Sequence, residues 1–419
     1  MGLFRDARLF ARAACDGSRA LLDRAALASE LRGEPPLEPG KYRIAVYFAD
    51  DAVNLYQVRQ WYAPLRALQQ RWPVLILSRS ASSTRQLRTE AGIPVAHVRQ
   101  VDALERTLAE QDIRIVLYVN QNARNFAMMR YNRMWHVFVN HGESDKAYMT
   151  TNQMKAYDYC LVAGDQARAR LERALWDVDF DKRMIPIGRP QADFFGEEAP
   201  FAPDDRTVVL YGPTWEGDRP WAHYGSIRSH GTALVEALVT TGRHRVVYRP
   251  HPRSGTTDAD YRAAHLAIVA RLERANREDP SAQHVYDTGA ELGWQLRVPD
   301  VAILDISAMI YDRLSVGKPL LVTRPADPQT TVDEDGYLSD CEWLDAGQAG
   351  DVVARLEALT GDERASEKLA VWTRRYFGDT TPGAATTRFE AALGRLFAEW
   401  DAWNARDVAA SSDRPTLDG

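Results

Sequence analysis

Short apolar runs and helical patterns alternate along this chain, and the alternation occurs twice. Strands that alternate with helices are typical of a parallel sheet with helices on both faces. A loop rich in proline, glycine and acidic residues, Pro190–Asp205, separates the two sets. We therefore predict an α/β chain of two doubly wound domains, with a cleft between the C-terminal ends of their strands. The predicted strands are Arg43–Phe48, Pro73–Ser78, Ile113–Val119, His136–Asn140, Tyr159–Ala163 and Met184–Ile187 in the first set, and Thr207–Tyr211, Arg245–Tyr248, His284–Tyr286, Val301–Leu304 and Pro319–Thr323 in the second.

Helices are predicted where apolar residues recur at helical spacing. These stretches are Asn54–Arg71, Gly231–Thr241, Tyr261–Arg277, Ala349–Leu359 and Ala384–Ala405. Residues 1–33 are rich in alanine and arginine and also have a helical pattern. Such a helix either packs on the body of the protein, which we favour, or lies on an anionic membrane surface. The polar tail that follows residue 405 is predicted to be disordered.

The composition is that of a globular protein and excludes several functional classes. The chain has 419 residues, enough for two or three domains, and a net charge of −6 that does not favour nucleic-acid binding. Its three cysteines, Cys15, Cys160 and Cys341, lack metal-ligand spacing, and a reducing cytoplasm is expected. No run reaches the ~20 apolar residues that a membrane-spanning helix needs.

The segment Val298–Pro319 is a candidate phosphate site, because an apolar strand leads there into a helical pattern. Ligands of open α/β sheets bind beyond the carboxyl ends of strands, and N–H groups at a helix N-terminus attract anions. Ser307 and the N–H group of Ala308 could face such an anion. Asp305 and Asp312 would be poor neighbours of a phosphate and are expected to hold loops or contact hydroxyls. The alternative is an ordinary strand–helix junction in which Ser307 only caps the helix.

A second candidate lies in HVFVNHGESDK, where His141 directly follows a predicted strand and Gly142 allows a sharp turn. A histidine at this end of a strand is suited to be a general base, because its ordinary pKa lies near neutrality. The alternative is a histidine that only forms hydrogen bonds with the loop backbone.

Two further segments also follow predicted strands. In LYGPTWEGDR, Trp215 could stack on a base or line a ligand pocket, or it could be a packing residue. In VVYRPHPRS, Arg249, His251 and Arg253 alternate with prolines and could donate to a phosphate, or they could form a solvated basic turn.

Several common catalytic and metal-binding motifs are absent from the sequence. It contains no GxGxxG or GxxxxGK[ST] loop, no HExxH or EF-hand, no paired CxxC and no GxSxG elbow. The acidic pairs Asp177 with Asp179 and Asp258 with Asp260 do not follow apolar strands. We therefore expect a reaction that uses neither a metal nor a cofactor.

Taken in order, these motifs resemble the CDP-glycerol glycerophosphotransferase family, the teichoic-acid primases and polymerases. The family pattern is HG followed by a lysine, a G-P-R-x-D turn, YxPTW, RxHP, and a TDYSS segment ending in GKP. The resemblance covers roughly residues 135–390. The matching residues are His141-Gly142 with Lys146, Gly188-Arg189-Pro190 with Asp193, Tyr211 with Pro213-Thr214-Trp215, Arg249 with His251-Pro252, and Leu304–Ala308 with Asp312 and Gly317-Lys318-Pro319.

The resemblance implies a GT-B fold, in which two Rossmann-like doubly wound domains face each other across a cleft and the C-terminal helix crosses back. It also implies that an acceptor hydroxyl attacks the β-phosphorus of CDP-glycerol and releases CMP, with His141 as the general base. Arg249, His251 and Ser307 would hold the pyrophosphate, and Ala308 replaces the family's second serine. The predicted donor-binding residues are Gly142, Lys146, Thr214, Trp215, Arg249, His251, Asp305, Ser307, Ala308 and Asp312.

Glu143 and Asp145 depart from the family pattern, which has uncharged residues at these places. The two carboxylates could hydrogen-bond the hydroxyls of an acceptor sugar, and they could also raise the pKa of His141. They are the predicted acceptor-binding residues.

The leading hypothesis is a transferase that moves glycerol phosphate, or a related polyol phosphate, from CDP-glycerol to a cell-envelope glycan or lipid-linked acceptor. The expected location is the cytoplasm, with peripheral contact at the inner face of the plasma membrane. The alternatives are a GT-B glycosyltransferase that uses a nucleotide sugar and a catalytically silent nucleotide-binding scaffold. The predicted segments are an N-terminal helical segment (1–40), an acceptor domain (41–200), a nucleotide-donor domain (201–380), a crossover helix (381–405) and a disordered tail (406–419).

Overall fold

The structure is a computed structural model that describes residue 18 and residues 20–143, 150–217, 223–289, 292–332 and 336–412. Within these residues, the strands form one parallel sheet of seven strands and one of six. The first sheet contains β1 (Ile44–Phe48), β2 (Val74–Ser78), β3 (Val95–His97), β4 (Ile115–Tyr118), β5 (Trp135–Phe138), β6 (Tyr159–Val162) and β7 (Met184–Pro186). The second contains β8 (Thr207–Gly212), β9 (His244–Tyr248), β10 (Val285–Tyr286), β11 (Val301–Leu304), β12 (Leu320–Thr323) and β13 (Trp343–Leu344).

Both sheets have the strand order of a doubly wound fold. The orders are β3-β2-β1-β4-β5-β6-β7 and β10-β9-β8-β11-β12-β13. The order reverses between β1 and β4 in the first sheet and between β8 and β11 in the second. Ligands of such sheets bind outside the carboxyl ends of the strands at these switch points. The predicted fold of two Rossmann-like units is confirmed.

The longer helices lie between and after the strands. They are α1 (20–30), α2 (Tyr62–Leu68), α3 (Ala81–Glu90), α4 (Val101–Glu110), α5 (Asp165–Ala174), α6 (Thr232–Thr240), α7 (Ala259–Glu278), α8 (Ala308–Leu314), α9 (Val352–Gly361), α10 (Glu363–Phe377) and α11 (Ala384–Ser412). The helix predicted from Asn54 to Arg71 is instead three short helical segments, Ala52–Asn54, Tyr56–Arg59 and α2. Pro64 lies in the first turn of α2, where its missing N–H group costs nothing, whereas a longer helix would need that group.

Alternating residues of each strand face opposite sides, so each sheet has an apolar cluster on both faces. In the first sheet, Val46 belongs to one cluster and Tyr47 to the other. In the second sheet, Ile303 and Ala302 are divided in the same way. Both faces of each sheet are therefore buried under helices, as the predicted α/β layers require.

The last helix, α11, crosses back to the first sheet, as predicted. Phe389, Leu393, Leu396 and Phe397 belong to the apolar cluster of that sheet. Burial of side chains of this size contributes roughly 1.5–3 kcal/mol each, so α11 is part of the core of the first unit. The helix runs to Ser412, beyond the predicted end at residue 405, and the tail residues 413–419 lie outside the described part.

The N-terminal helix α1 packs on the body of the protein. Leu27 is 2% exposed. Arg85 of α3 forms ion pairs with Asp23 at 3.0 Å and with Glu30 at 2.7 Å. The residues before Ser18 lie outside the described part. In the portion of the chain that the structure describes, no helix is both long and apolar enough to cross a bilayer.

Candidate functional site

His141 lies just beyond the carboxyl end of β5. Asn140 precedes it with a φ of 56°, a left-handed conformation that asparagine tolerates better than most residues. Its carbonyl oxygen accepts a hydrogen bond from the Trp61 indole. The His141 Nδ1 atom lies 3.0 Å from the carbonyl oxygen of Val119. Because a carbonyl can only accept, Nδ1 carries the proton and Nε2 of the neutral ring has a free lone pair.

The environment keeps this ring neutral. Burial lowers the pKa of His141, the hydrogen bond to Val119 partly opposes this effect, and the nearby Arg189 adds a smaller lowering. The net shift of this pKa is therefore downward, opposite in direction to the rise expected from nearby carboxylates. A neutral imidazole with a free Nε2 is the form that can take a proton from a hydroxyl.

Glu143 does not present a free carboxylate to an acceptor. It is 5% exposed and forms an ion pair with Arg170 of α5. The arginine balances its charge, and the predicted role of Glu143 in acceptor binding stays a prediction. Asp145 and Lys146, predicted to bind the acceptor and the donor, lie outside the described residues.

Arg189, part of the GRP motif, was not predicted as a site residue. It follows β7, is 5% exposed, and its Nη2 atom lies 2.6 Å from Oδ1 of Asp312 in α8. The same Nη2 donates to Oε1 of Gln60 at 3.1 Å. A side chain at Gly142 would place its Cβ 3.7 Å from Nη1 of Arg189. The Arg189–Asp312 ion pair thus joins the loop beside His141 to the helix that follows β11.

A cavity of about 50 Å³ lies beside this loop. Among the described residues, its lining includes Gly142, Glu143 and Arg189 but not His141. Phe377, at the end of α10, also lines it, so residues after the second sheet close a cavity of the first unit.

In the second unit, the carboxylate of Asp305 holds neighbouring backbone segments in place. It is fully buried, and its Oδ2 accepts hydrogen bonds from the N–H groups of Thr214 at 2.7 Å and Ser226 at 3.0 Å. Its Oδ1 accepts from Thr323 Oγ1 at 2.5 Å. Burial, partly offset by these donors, raises the pKa of Asp305 to about 6. Asp305 thus holds loops, as expected from its charge, and Asp312 pairs with Arg189, while a role of either residue in donor binding stays a prediction.

Ser307 caps helix α8, in agreement with the alternative interpretation of this segment as an ordinary strand–helix junction. Its Oγ accepts a hydrogen bond from the N–H group of Met309 at 3.3 Å. The helix starts close to β8: a Cβ at Gly212 would lie 2.8 Å from Leu304 Cδ2 and 3.0 Å from Met309 Cε. Gly212 therefore allows α8 to begin against the end of β8. Ala308, the first residue of α8, is exposed.

A half-buried tryptophan and two exposed basic side chains lie beyond β8 and β9. The Arg253 guanidinium stacks over the Trp215 ring at 3.6 Å, and the His251 ring is 6.4 Å from it. His251 is exposed, and its Nδ1 accepts from the N–H group of Arg253 at 3.1 Å. In the neutral ring Nε2 therefore carries the proton and is a donor.

The Arg249 side chain contacts the loop after β10. It forms an ion pair with Asp287, and its Nη2 donates to the carbonyl oxygen of Gly289 at 3.0 Å. These contacts balance its charge and fix the loop after β10, and the predicted pyrophosphate contact of Arg249 stays a prediction.

The structure thus divides the predicted residues into two groups. Thr214, Trp215, His251, Ser307 and Ala308 lie at the carboxyl ends of β8, β9 and β11. His141 and Gly142 lie at that of β5. Sequence motifs marked all of these positions, whereas the partners of Arg249, Glu143 and Asp312 depend on contacts that are distant in sequence. Among the described residues, no group of three His, Cys, Asp or Glu side chains is placed to hold a metal ion.

No family model matches the sequence, and a search of curated proteins found no match. Solved structures do match. A Listeria monocytogenes protein assigned as a UDP-N-acetylglucosamine 2-epimerase has a TM-score of 0.59 and 15% identity, covering 86% of this chain and 98% of its own. The wall teichoic acid polymerase TagF has a TM-score of 0.55 and 12% identity, covering 94% and 98%.

A histidine-to-asparagine variant of TagF soaked with CDPG also matches, with a TM-score of 0.53 and 11% identity over 94% of this chain and 98% of its own. At these identities the likeness concerns the fold alone. The resemblance that the motifs predicted is thus matched at the level of the fold. The chain has the GT-B fold that it shares with TagF, with two Rossmann-like units and a last helix that returns to the first sheet.

Proposed function

We propose that this chain is a transferase that moves glycerol phosphate, or a related polyol phosphate, from CDP-glycerol to a hydroxyl of a cell-envelope glycan or lipid-linked acceptor. The observation that carries the proposal is His141, a neutral imidazole beyond the carboxyl end of β5 with its Nε2 lone pair available. The motif resemblance and the shared fold of TagF support the choice of donor.

In the proposed reaction, Nε2 of His141 takes the proton of the acceptor hydroxyl while the hydroxyl oxygen attacks the β-phosphorus. A new P–O bond forms to the acceptor, the P–O bond to CMP breaks, and CMP leaves with the electron pair of that bond. The imidazolium then loses its proton to solvent. Such a transfer depends mainly on positioning and on donors for the phosphate oxygens.

We assign the donor to the second unit. His251 Nε2–H and Arg253 are exposed donors next to Trp215, whose ring could stack on a nucleotide base. The exposed N-terminus of α8, at Ala308, adds backbone donors to the same edge of the sheet. These groups replace Arg249 in the proposed contact with the pyrophosphate.

The test is nucleotide release from a panel of CDP-glycerol, CDP-ribitol, UDP-sugars and CMP-sugars. We expect CMP release from CDP-glycerol, and we expect His141→Ala to reduce it by at least 10²-fold, as loss of a general base does. His265→Gln, a histidine substitution in α7, is the control and should retain the rate. Wild-type turnover in His141→Ala would disprove the assignment of the base.

The same panel tests the two alternatives. Release of UDP from a nucleotide sugar would favour a GT-B glycosyltransferase. Binding of a nucleotide with no turnover of any donor would favour a silent scaffold, the alternative motivated by Ala308 in place of a serine.

We further propose that residues 1–17, which carry Leu3, Phe4, Leu9 and Phe10 among arginines, contact an anionic membrane surface. Helix α1 is already engaged with α3, so the deletion of residues 1–17 is the appropriate variant. We expect the full chain to sediment with phosphatidylglycerol liposomes and the deletion variant to lose most of that binding. Equal sedimentation of the two would overturn this proposal.

A further inference from the structure

A group of amide and carboxylate side chains, which no motif singled out, lies at the switch point of the first sheet. Asn122 Nδ2 donates to Asp50 Oδ2 at 2.9 Å, and Asn120 Nδ2 donates to the same oxygen at 3.3 Å. Asn120 Nδ2 also donates to Gln57 Oε1 at 2.7 Å. Asp50 follows β1, and Asn120 and Asn122 follow β4. We call these four residues the amide cluster.

The amide cluster is adjacent to His141 on two sides. The carbonyl that accepts from His141 Nδ1 belongs to Val119, the residue before Asn120. Tyr56, the residue before Gln57, contacts the His141 ring edge-on with their ring centroids 5.8 Å apart. A ligand held by the amide cluster is therefore next to the proposed base.

One acceptor atom of the cluster, and one of the neighbouring Asn125, are unpaired among the described residues. Asn120 is 4% exposed and its Oδ1 has no hydrogen-bond partner among the described residues. The same holds for Oδ1 of the fully buried Asn125, whose Nδ2 donates to the carbonyl oxygen of Asn120 at 2.7 Å. Buried polar atoms are almost always paired, and an acceptor can be paired only by a donor. Hydroxyl groups are donors, whereas an ionised phosphate is not.

Exposed apolar side chains follow the same two strands as this polar group. Val53 is 82% exposed, Tyr56 50% and Phe126 49%. Val53 and Tyr56 follow β1, and Phe126 follows β4, so all three lie near the same switch point. Aromatic faces beside hydrogen-bonding amides suit a sugar, which has both an apolar C–H face and a ring of hydroxyls.

We propose that the amide cluster binds the acceptor through an uncharged, hydroxyl-rich group, a sugar or polyol, and presents one hydroxyl to His141. This inference rests on the proposed transfer, which defines what the acceptor is. It places the acceptor site at the carboxyl ends of β1 and β4 instead of at Glu143. Asp50 and the unfilled oxygens disfavour an acceptor that binds there through a phosphate.

The first test is binding, which does not depend on turnover. Saturation-transfer NMR is measured with N,N′-diacetylchitobiose, an uncharged disaccharide, and separately with glycerol 3-phosphate. We expect the wild-type chain to bind the disaccharide, and we expect Asn122→Ala and Gln57→Ala each to bind it about tenfold more weakly, the effect of one lost hydrogen bond. Gln70→Ala, in the loop after α2, is the matched amide control and should bind as the wild type does.

The second test is kinetic and applies once a donor has been identified. Asn122→Ala should raise the KM for the acceptor about tenfold and leave the KM for the donor unchanged. Unchanged disaccharide binding in both variants would overturn the inference. Glycerol 3-phosphate binding that is lost in Asn122→Ala would also overturn it. Failure of every donor in the panel would disprove the proposed transfer, whereas the NMR result would still decide the ligand class of the amide cluster.

Discussion

A histidine acts as a base only when one ring nitrogen is free of a proton and the ring is neutral at the working pH. His141 meets both conditions through its neighbours. The Val119 carbonyl fixes the proton on Nδ1, and burial together with Arg189 lowers the pKa. Since these effects come from separate elements, they can be changed one at a time.

The pH dependence of CMP release should therefore reflect a lowered histidine pKa. The active form is neutral, so the rate falls as the pH drops through the pKa of His141, which lies below the ordinary 6.5. We expect a plateau of kcat/KM at neutral pH with an acid limb below 6.5. Arg189→Gln should move this limb to higher pH, because a positive charge that disfavours the imidazolium is removed.

The control for this profile is His265→Gln, whose acid limb should coincide with that of the wild type. An acid limb in the wild type above pH 6.5, or no movement in Arg189→Gln, would contradict the electrostatic account of His141.

At the scale of elements, the sequence predicted the strands and helices that local residue patterns determine. Most predicted strands differ from the observed ones by one or two residues at their ends, because buried parallel strands are continuous apolar runs. The strands β3 and β13 were missed, since each is a short edge strand whose pairing decides its conformation. The break in the first predicted helix before α2 was also missed, and so was helix α10.

The site residues show the same distinction between features that local sequence patterns predict and contacts between residues distant in sequence. The motifs placed His141, Trp215, His251 and Ser307 at strand ends, where the structure has them. The pairing of Arg249 with Asp287 was not predictable, because their separation of 38 residues has no local signature. The amide cluster was also not predictable, since its residues follow different strands and form no motif.

The junction of β6 and α5 with α10 gives a prediction at this scale. A Cβ at Gly164 would lie 2.4 Å from the carbonyl oxygen of Tyr376 and 2.7 Å from its carbonyl carbon. These are backbone atoms, so α10 must shift to admit an alanine. We expect Gly164→Ala to lower the free energy of unfolding by about 1–3 kcal/mol, measured by urea denaturation.

Gly347→Ala is the matched control, because no atom lies within 4 Å of its would-be Cβ and its φ is not positive. It should change the free energy of unfolding by no more than about 0.5 kcal/mol. A tolerated alanine at Gly164 would mean that α10 is not held closely against α5.

At the scale of the whole molecule, helix α11 and the Arg189–Asp312 ion pair are two of the connections between the units within the described residues. Helix α11 adds Phe389 and Leu393 to the core of the first sheet. The Arg189–Asp312 ion pair links the end of β7 to α8. The crossing of α11 was predictable from the motif resemblance, whereas the ion pair was not. The pair connects the base in the first unit to the helix at the donor edge of the second.

A double-mutant cycle tests this connection. The side chains of Arg189 and Asp312 are 5% and 6% exposed, so removal of one partner leaves the other charge buried without its counter-ion. Asp312→Leu alone should lower the free energy of unfolding by about 3–5 kcal/mol, whereas Arg189→Met combined with Asp312→Leu should recover much of that loss, because no charge remains. The measurement is urea denaturation of the wild type, both single variants and the double variant.

The double variant should also move the acid limb of CMP release to higher pH, because the cation that lowers the pKa of His141 is gone. Additive losses of stability would mean that this pair does not couple the two units, and an acid limb that stays in place would contradict the electrostatic account of His141.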